Sequence, residues 1–476
     1  MTRSVSASRV ATLLGSAATH SPAYRGIADG LRLLLADGRV LPGTRLPSER
    51  DLTAALGVSR TTVGRAYELL REQGYLESRR GSGSLTRLPR TRGVEDHLLR
   101  PDDGRPDTID LTTAASSAPP GVAAAYERAV AGLPPYLAGS GHFPTGLPVL
   151  RELLAQWYDA RGLPTSPEQV VVTAGALAGV ALAARAFAGT GDRVLVESPT
   201  YPNAIAALRR SGARVLGTPV DPDGWDIEAL DASLRQSAPR LAYLVPDFHN
   251  PTGALMDDET RARVGAALRG SRTLTLVDES LVDVELDPVT RPRPLAAHVP
   301  DALTLGSAGK AFWGGLRIGW LRAPEHRTAA LVAARLTLDL GAPVLEQLVL
   351  AELLAERQEV LGHQRSRLRE RRDHLAAALA RSLPGWEFRL PSGGLALWCR
   401  LPAALSTALT VAAERRGVLL AAGSSFAPEG GLERFVRLPY NRPPEQLEEA
   451  VERIAPAWHE ARQHRGATGP RPPLVA

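Results

Sequence analysis

Gly306-Ser307-Ala308-Gly309-Lys310-Ala311-Phe312-Trp313-Gly314-Gly315-Leu316-Arg317-Ile318-Gly319-Trp320 holds the sole lysine of a 476-residue chain that carries 55 arginines. The two cations are not interchangeable. A guanidinium stays protonated at any accessible pH, whereas a lysine amine in a suitable pocket loses its proton and attacks a carbonyl. A coding bias against lysine would leave a survivor anywhere. This one follows the apolar run 302–305, which reads as a buried strand, and it stands among glycines with a serine before it and an arginine after it.

Working upstream, Asp278 ends the strand-like run 273–277, and Asn250-Pro251-Thr252-Gly253 follows the strand-like run 241–245. Taken singly, a strand-end Asp and a Pro/Gly turn are ordinary architecture. Asn250 precedes Asp278 by 28 residues and Asp278 precedes Lys310 by 32. Both spacings are close to one βα unit in an alternating sheet. Further upstream, Val170-Val171-Val172-Thr173 breaks at Ala174-Gly175-Ala176 into a helix-like run to Phe187. Such a turn points N–H groups and a helix dipole at an anion, although one glycine between strand and helix occurs in any α/β protein. Tyr201, in a Pro-framed loop, and Arg437, in Phe435-Val436-Arg437-Leu438, complete the set.

Together these segments resemble the fold-type I pyridoxal-phosphate enzymes, the aspartate aminotransferase family, and above all their Ser-x-x-Lys segment. The resemblance implies an α/β body with a large, mostly parallel sheet and a small C-terminal α+β domain. It implies pyridoxal 5'-phosphate as cofactor, joined as a Schiff base to Lys310. Ser307, Arg317 and the turn at Gly175 and Ala176 would hold its phosphate, and Tyr201 would stack on its ring. Asn250 would bond its 3-hydroxyl, and Asp278 would pair with its ring nitrogen. Arg437 would take the carboxylate of an effector. Ser280 stands where the pattern has a Tyr on the 3-hydroxyl, which leaves Asn250 more of that task and bears on turnover more than on cofactor binding. No metal is implied.

The first 90 residues contrast with the rest, carrying fourteen arginines against seven carboxylates in a chain of net charge +5. A local basic block suits a polyanion or a solvated surface about equally. The pattern is more specific than the charge. Helical apolar spacing over 24–36 leads through Leu41-Pro42-Gly43 to Ser48 and Asp51, at capping-box spacing, and to a short helix ending at Leu56. Gly57-Val58 turns into a second helix capped by Ser59. A strand pair with the tip Arg79-Arg80-Gly81-Ser82-Gly83 follows. Residues 20–88 resemble GntR-type winged helices. That resemblance implies double-stranded DNA as partner, with Ser59, Arg60, Thr61 and Thr62 at the major groove, Arg50 at the backbone, and Arg80, Gly81 and Gly83 in the wing. Gly64 replaces an arginine common in such domains, leaving Arg65 either to substitute for it or to stay solvated.

Residues 89–108, rich in Arg, Asp, Pro and Gly, read as a linker. A winged helix tethered ahead of an aminotransferase-like body resembles the MocR subfamily of GntR regulators. The expected divisions are 1–88 for the winged helix, 89–108 for the linker, 109–330 for the large domain, 331–465 for the interdomain helix and small domain, and 466–476 for a tail. One cysteine, Cys399, excludes an internal disulfide. With neither a spanning apolar stretch nor a signal-peptide pattern, a cytoplasmic protein without membrane partners is expected.

The reading that follows is a transcription regulator that senses pyridoxal phosphate or an amine or amino acid through the Lys310 site. The resemblance implies a homodimer, domain-swapped head to tail, on an operator with paired half-sites. The alternative is a working aminotransferase with an accessory DNA-binding domain. The intact cofactor residues permit at least a residual half-reaction.

Overall fold

The structure is a computed structural model that describes residues 4–15, 19, 21–36, 40, 44–79, 83–87, 107–221 and 224–463. The wing residues Arg80 and Gly81, most of the linker and the tail at 466–476 lie outside the described residues. The chain divides into two compact units, residues 1–96 with 118–128 and residues 97–117 with 129–476. Residues 118–128, expected in the large domain, thus group with the N-terminal unit; they include most of the helix Val122–Ala131, whose Val122, Ala125 and Ala129 are buried.

In the N-terminal unit, helices α1 (Ala7–Leu14), α2 (Ala23–Ala36), α3 (Glu49–Leu56) and α4 (Arg60–Glu72) precede the hairpin β1 (Leu76–Arg79) and β2 (Gly83–Thr86). Its helices begin and stop at the expected chemistry. Ser48 Oγ accepts the Asp51 N–H, Ser59 Oγ accepts the Thr62 N–H at 3.1 Å, and Gly57 ends α3 with φ 66°. The apolar faces meet in one core of Ile27, Leu31, Leu52, Val63, Tyr67 and Leu70. Fully burying each such aliphatic side chain stabilises by about 1.5–3 kcal/mol. Helix α1 had no counterpart in the sequence reading; Ser6 caps it and Val10 and Leu14 are buried in the same core.

The second unit is built on eight strands in the order β4-β11-β10-β9-β8-β5-β6-β7. They are β4 (Val170–Thr173), β5 (Arg193–Ser198), β6 (Arg214–Asp221), β7 (Gly224–Trp225), β8 (Leu241–Leu244), β9 (Leu274–Asp278), β10 (Leu303–Ser307) and β11 (Gly319–Arg322). Strands β6, β5, β8, β9 and β10 run parallel, while β11 is antiparallel to both its neighbours. Because helices cover both faces, the central strands are continuous apolar runs; Leu241–Leu244 is buried throughout.

Beyond it, the helices Glu325–Arg335, Val344–Ala355 and Arg357–Ser382 lead to β12 (Glu387–Phe388), β13 (Ala396–Arg400), β14 (Val418–Leu419), β15 (Ala421–Ala422) and β16 (Phe435–Pro439). Strand β3 (Ile109–Asp110) pairs in parallel with β14, and Ile109 and Leu111 are buried with Leu397, Val436 and Leu438 in the C-terminal core. Two apolar residues beside a short strand are buried where a partner edge exists, and sequence distance does not reveal that edge.

Candidate functional site

Every site residue expected in the second unit, apart from Arg437, follows from the C-terminal ends of parallel strands, the edge where α/β sheets open a crevice. Asp278 ends β9, Ser307 ends β10, Gly175 follows β4, Tyr201 follows β5, and Asn250 lies in the turn after β8. Lys310 lies in the one-turn helix Ala308–Ala311, which Ser307 caps by accepting the Gly309 N–H at 3.1 Å. The Lys310 ammonium donates to the Ala114 carbonyl at 2.9 Å. Desolvation, helped by the nearby charges of Arg437 and Arg317 and opposed by Asp278, lowers its pKa to about 8.

Asp278 is buried, and burial raises its pKa from the carboxylate range. Two donors and the positive charge of Lys310 act the other way. Tyr243 on β8 donates its hydroxyl at 2.5 Å, and the Ser280 N–H donates at 2.8 Å. Ser280 thus meets Asp278 through its backbone. Tyr243 is a functional candidate missed in the sequence, where Leu-Ala-Tyr-Leu reads as strand core. The available signal was its hydroxyl, since a buried phenol needs a partner.

At the phosphate end, Gly175 has φ 89° and precedes the helix Ala176–Phe187. A Cβ on Gly175 would lie 2.8 Å from the Arg317 guanidinium, so only glycine lets that cation close over the helix N-terminus. Gly319 packs equally tightly, 2.6 Å from the Ala176 nitrogen by the same measure. N–H groups of a helix start, the Ser307 hydroxyl and Arg317 form a donor set suited to a phosphate dianion.

Arg437, on β16, is fully buried. It donates to Asn250 Oδ1 at 3.3 Å and to the Thr112 carbonyl, and it lies 5.1 Å from the Phe426 ring. Its Nε has no partner, and among the described residues no carboxylate pairs with it. Desolvation lowers its pKa to about 10. A buried guanidinium without a counter-ion is costly, and a ligand carboxylate would relieve that cost. Tyr201 accepts from Asn203 Nδ2 at 3.1 Å, and burial raises its pKa.

A second feature absent from the sequence reading is the strap 112–117. Its carbonyls accept from four donors: Thr112 from Arg437, Ala114 from Lys310, Ala115 from Asn441 at 2.6 Å, and Ser117 from Arg367 at 2.8 Å. Asn441 and Arg367 anchor the strap, and no local motif marks them.

In the N-terminal unit, Arg50, Arg60 and Thr61 are exposed and Thr62 is half-buried at the start of α4. Ser59 Oγ is engaged within the cap, with Thr61 Oγ1 at 2.8 Å and Thr62 Oγ1 at 2.7 Å. Arg65 stacks 4.5 Å from the centre of the Tyr24 ring. Gly83 has φ 76°, and a Cβ there would lie 3.1 Å from Arg45 Nε. Arg45 therefore joins the wing in space although it precedes it by 38 residues in sequence.

Residues 115–454 match the family "Aminotransferase class I and II", and residues 23–85 match "Bacterial regulatory proteins, gntR family". Among curated proteins, the chain is 32% identical to the HTH-type pyridoxine biosynthesis transcriptional regulator PdxR of Corynebacterium glutamicum, over 78% of this chain and 81% of that protein. It is 30% identical to the probable rhizopine catabolism regulatory protein MocR of Rhizobium meliloti, over 64% and 66%. Among solved structures, it is similar to LysN, an alpha-aminoadipate aminotransferase from Thermus thermophilus complexed with N-(5'-phosphopyridoxyl)-L-leucine. That likeness has a TM-score of 0.68 at 29% identity and covers 75% of this chain and 94% of the other.

Proposed function

The chain belongs to the MocR-type GntR regulators, in which a DNA-binding helix-turn-helix is joined to a pyridoxal-phosphate-dependent aminotransferase fold, and from that premise we propose that occupancy of the Lys310 site sets its affinity for operator DNA. When bound, the cofactor supplies an electrophilic carbonyl and an electron-accepting ring. The residues fit it. Lys310 carries a lowered pKa for attack on the carbonyl, Asp278 has a carboxylate at the ring end, and Gly175, Ala176, Ser307 and Arg317 gather donors for the phosphate. Asn250 would bond the 3-hydroxyl and Tyr201 would stack on the ring, while the Ser280 N–H holds Asp278.

The strap carries the proposal. Regulation requires that a ligand interact differently with two arrangements of the protein. Lys310 and Arg437 are the residues expected to bind cofactor and carboxylate, and both donate to strap carbonyls. Covalent use of the Lys310 amine withdraws the donor from Ala114. A carboxylate on Arg437 competes with Thr112. The strap is separated from the linker only by β3 and Leu111, so the proposal requires that its release be passed on through that short anchored stretch. Arg437, which has no ion pair among the described residues, favours an amino acid over a simple amine as effector.

A head-to-tail, domain-swapped homodimer on paired half-sites, acting in the cytoplasm, completes the proposal. No helix among the described residues is long and apolar enough to cross a membrane.

The test is a visible absorption spectrum of the protein with pyridoxal phosphate, beside Lys310→Ala, followed by titration of both into labelled promoter DNA with and without amino acids. A visible band in the wild type alone, together with DNA affinity that depends on cofactor or amino acid, is the expected result. A band with DNA affinity indifferent to every ligand ends the sensing role. The aminotransferase alternative is favoured by the same gathering of Lys310, Asp278, Asn250 and Arg437; steady-state transamination in the ordinary enzymatic range would put it first.

A further inference from the structure

The opposite edge of the large sheet carries a second charged feature. Arg193 and Arg214 are the first residues of β5 and β6 and are register partners. Arg240 immediately precedes β8, its N–H bonded to the Arg193 carbonyl at 2.8 Å, and Arg272 lies two residues before β9, where Leu274 N–H bonds the Arg240 carbonyl at 3.2 Å. In sequence the four are spread over 80 residues. In the sheet they form one row, Arg214, Arg193, Arg240, Arg272, with adjacent strands about 4.8 Å apart. All four line a cleft of about 820 Å³, together with Arg235 from the end of the helix Ile227–Ser237.

The row is poorly neutralised. Arg235 pairs with Asp231, and Arg240 Nε donates to the Phe187 carbonyl at 3.1 Å. Asp192, the other carboxylate of the cleft, accepts from the Gly189 N–H at 2.7 Å. Arg193, Arg214 and Arg272 have no ion pair among the described residues. Like charges placed side by side on neighbouring strands repel each other, so an anion in the cleft would relieve a cost already built into the fold. Guanidinium forks match phosphate oxygens, and the volume lies within the range of small-molecule sites. Leu234, Ala238, Pro239 and Ala267 supply an apolar wall beside the cations.

We propose that this cleft is a binding site for a small, multiply phosphorylated metabolite of nucleotide size, separate from the Lys310 site. The limited volume and the apolar wall beside the cations favour such a ligand over the uniform backbone of a nucleic acid. The site requires no event at Lys310 and stands whether or not that site regulates DNA binding.

Full-length protein loaded with pyridoxal phosphate, so that the Gly175 turn is filled, would be titrated calorimetrically with ATP and with inorganic tripolyphosphate. The same titrations would follow on Arg193→Gln/Arg214→Gln and on Arg50→Gln/Arg60→Gln. Saturable ATP binding that weakens at least tenfold in the first double variant and is unchanged in the second is the expected result. Tripolyphosphate binding less tightly than ATP would add that the apolar wall takes part. The proposal is overturned by absence of ATP binding, by equal binding in the Arg193/Arg214 variant, or by a random DNA duplex that displaces ATP at equal phosphate concentration. Both pairs are exposed, and an unchanged thermal midpoint in each variant would separate loss of binding from loss of fold.

Discussion

At the scale of single residues, the site is organised by charges denied their usual solvation. Lys310 is the clearest case, with a pKa near 8 against an ordinary 10.5. Because the charged form is disfavoured in the folded state, folding carries a penalty below about pH 8. Between pH 8 and 10.5 the unfolded chain holds a proton that the folded one has released, so stability rises with pH across that window. Lys310→Met in the cofactor-free protein is therefore expected to gain on the order of 1 kcal/mol at pH 7. The gain should vanish by pH 10.5, and urea denaturation at the two pH values reads it; an equal gain at both would contradict the assignment. Arg437 gives a second residue-scale prediction. Arg437→Met should lower affinity for a carboxylate-bearing amine by at least tenfold, about 1.4 kcal/mol or more. The visible cofactor band should still form, because the proposal places this side chain at the effector and not on the ring, although Lys310 loses one of the charges that lower its pKa.

At the scale of elements, the important positions are where helices start. Ser59 caps α4, so its removal acts on the helix before it acts on DNA. Ser59→Ala should cost about 1 kcal/mol of stability, seen as a lower thermal midpoint of the N-terminal unit without DNA present. An unchanged midpoint with weakened DNA binding would make Ser59 a direct contact instead. At the helix Ala176–Phe187 the start has no capping side chain and the backbone itself faces the site. Gly175→Ala combines a left-handed φ with a Cβ 2.8 Å from Arg317. Pyridoxal phosphate should then be needed at roughly tenfold higher concentration for the same absorbance. These two starts were legible because capping chemistry and strand-glycine-helix order are local. The strap and the Tyr243 bond were not legible, since each joins segments far apart in sequence through a backbone carbonyl or a core hydroxyl.

For the whole molecule, the proposed dimer presents two tethered winged helices. A duplex with two half-sites should be bound about 10²–10⁴-fold more tightly than one with a single half-site, provided the spacing lets both engage. Band-shift titrations of full-length protein on the two duplexes measure this, and equal affinity would show that one winged helix acts alone. Binding should also weaken steeply with salt, as expected when several arginines neutralise phosphates.

The amino-acid sequence by itself determined the two-part plan, the cofactor class and most of the Lys310 site, because these rest on short motifs whose order and βα spacing persist along the chain. It also carried the cap and turn chemistry of the helix-turn-helix. Tertiary structure alone decided that β3 joins the C-terminal core, that Arg45 lies beside the wing glycine, that Arg437 is buried without an ion pair among the described residues, and that a strap carbonyl accepts from the lysine. It likewise aligned Arg214, Arg193, Arg240 and Arg272 in one row. The reason is common to all five. Strand pairing and burial bring together residues whose sequence separation carries no periodic signal, and the energetic meaning of a charge depends on the neighbours and solvent it meets once the sheet has closed.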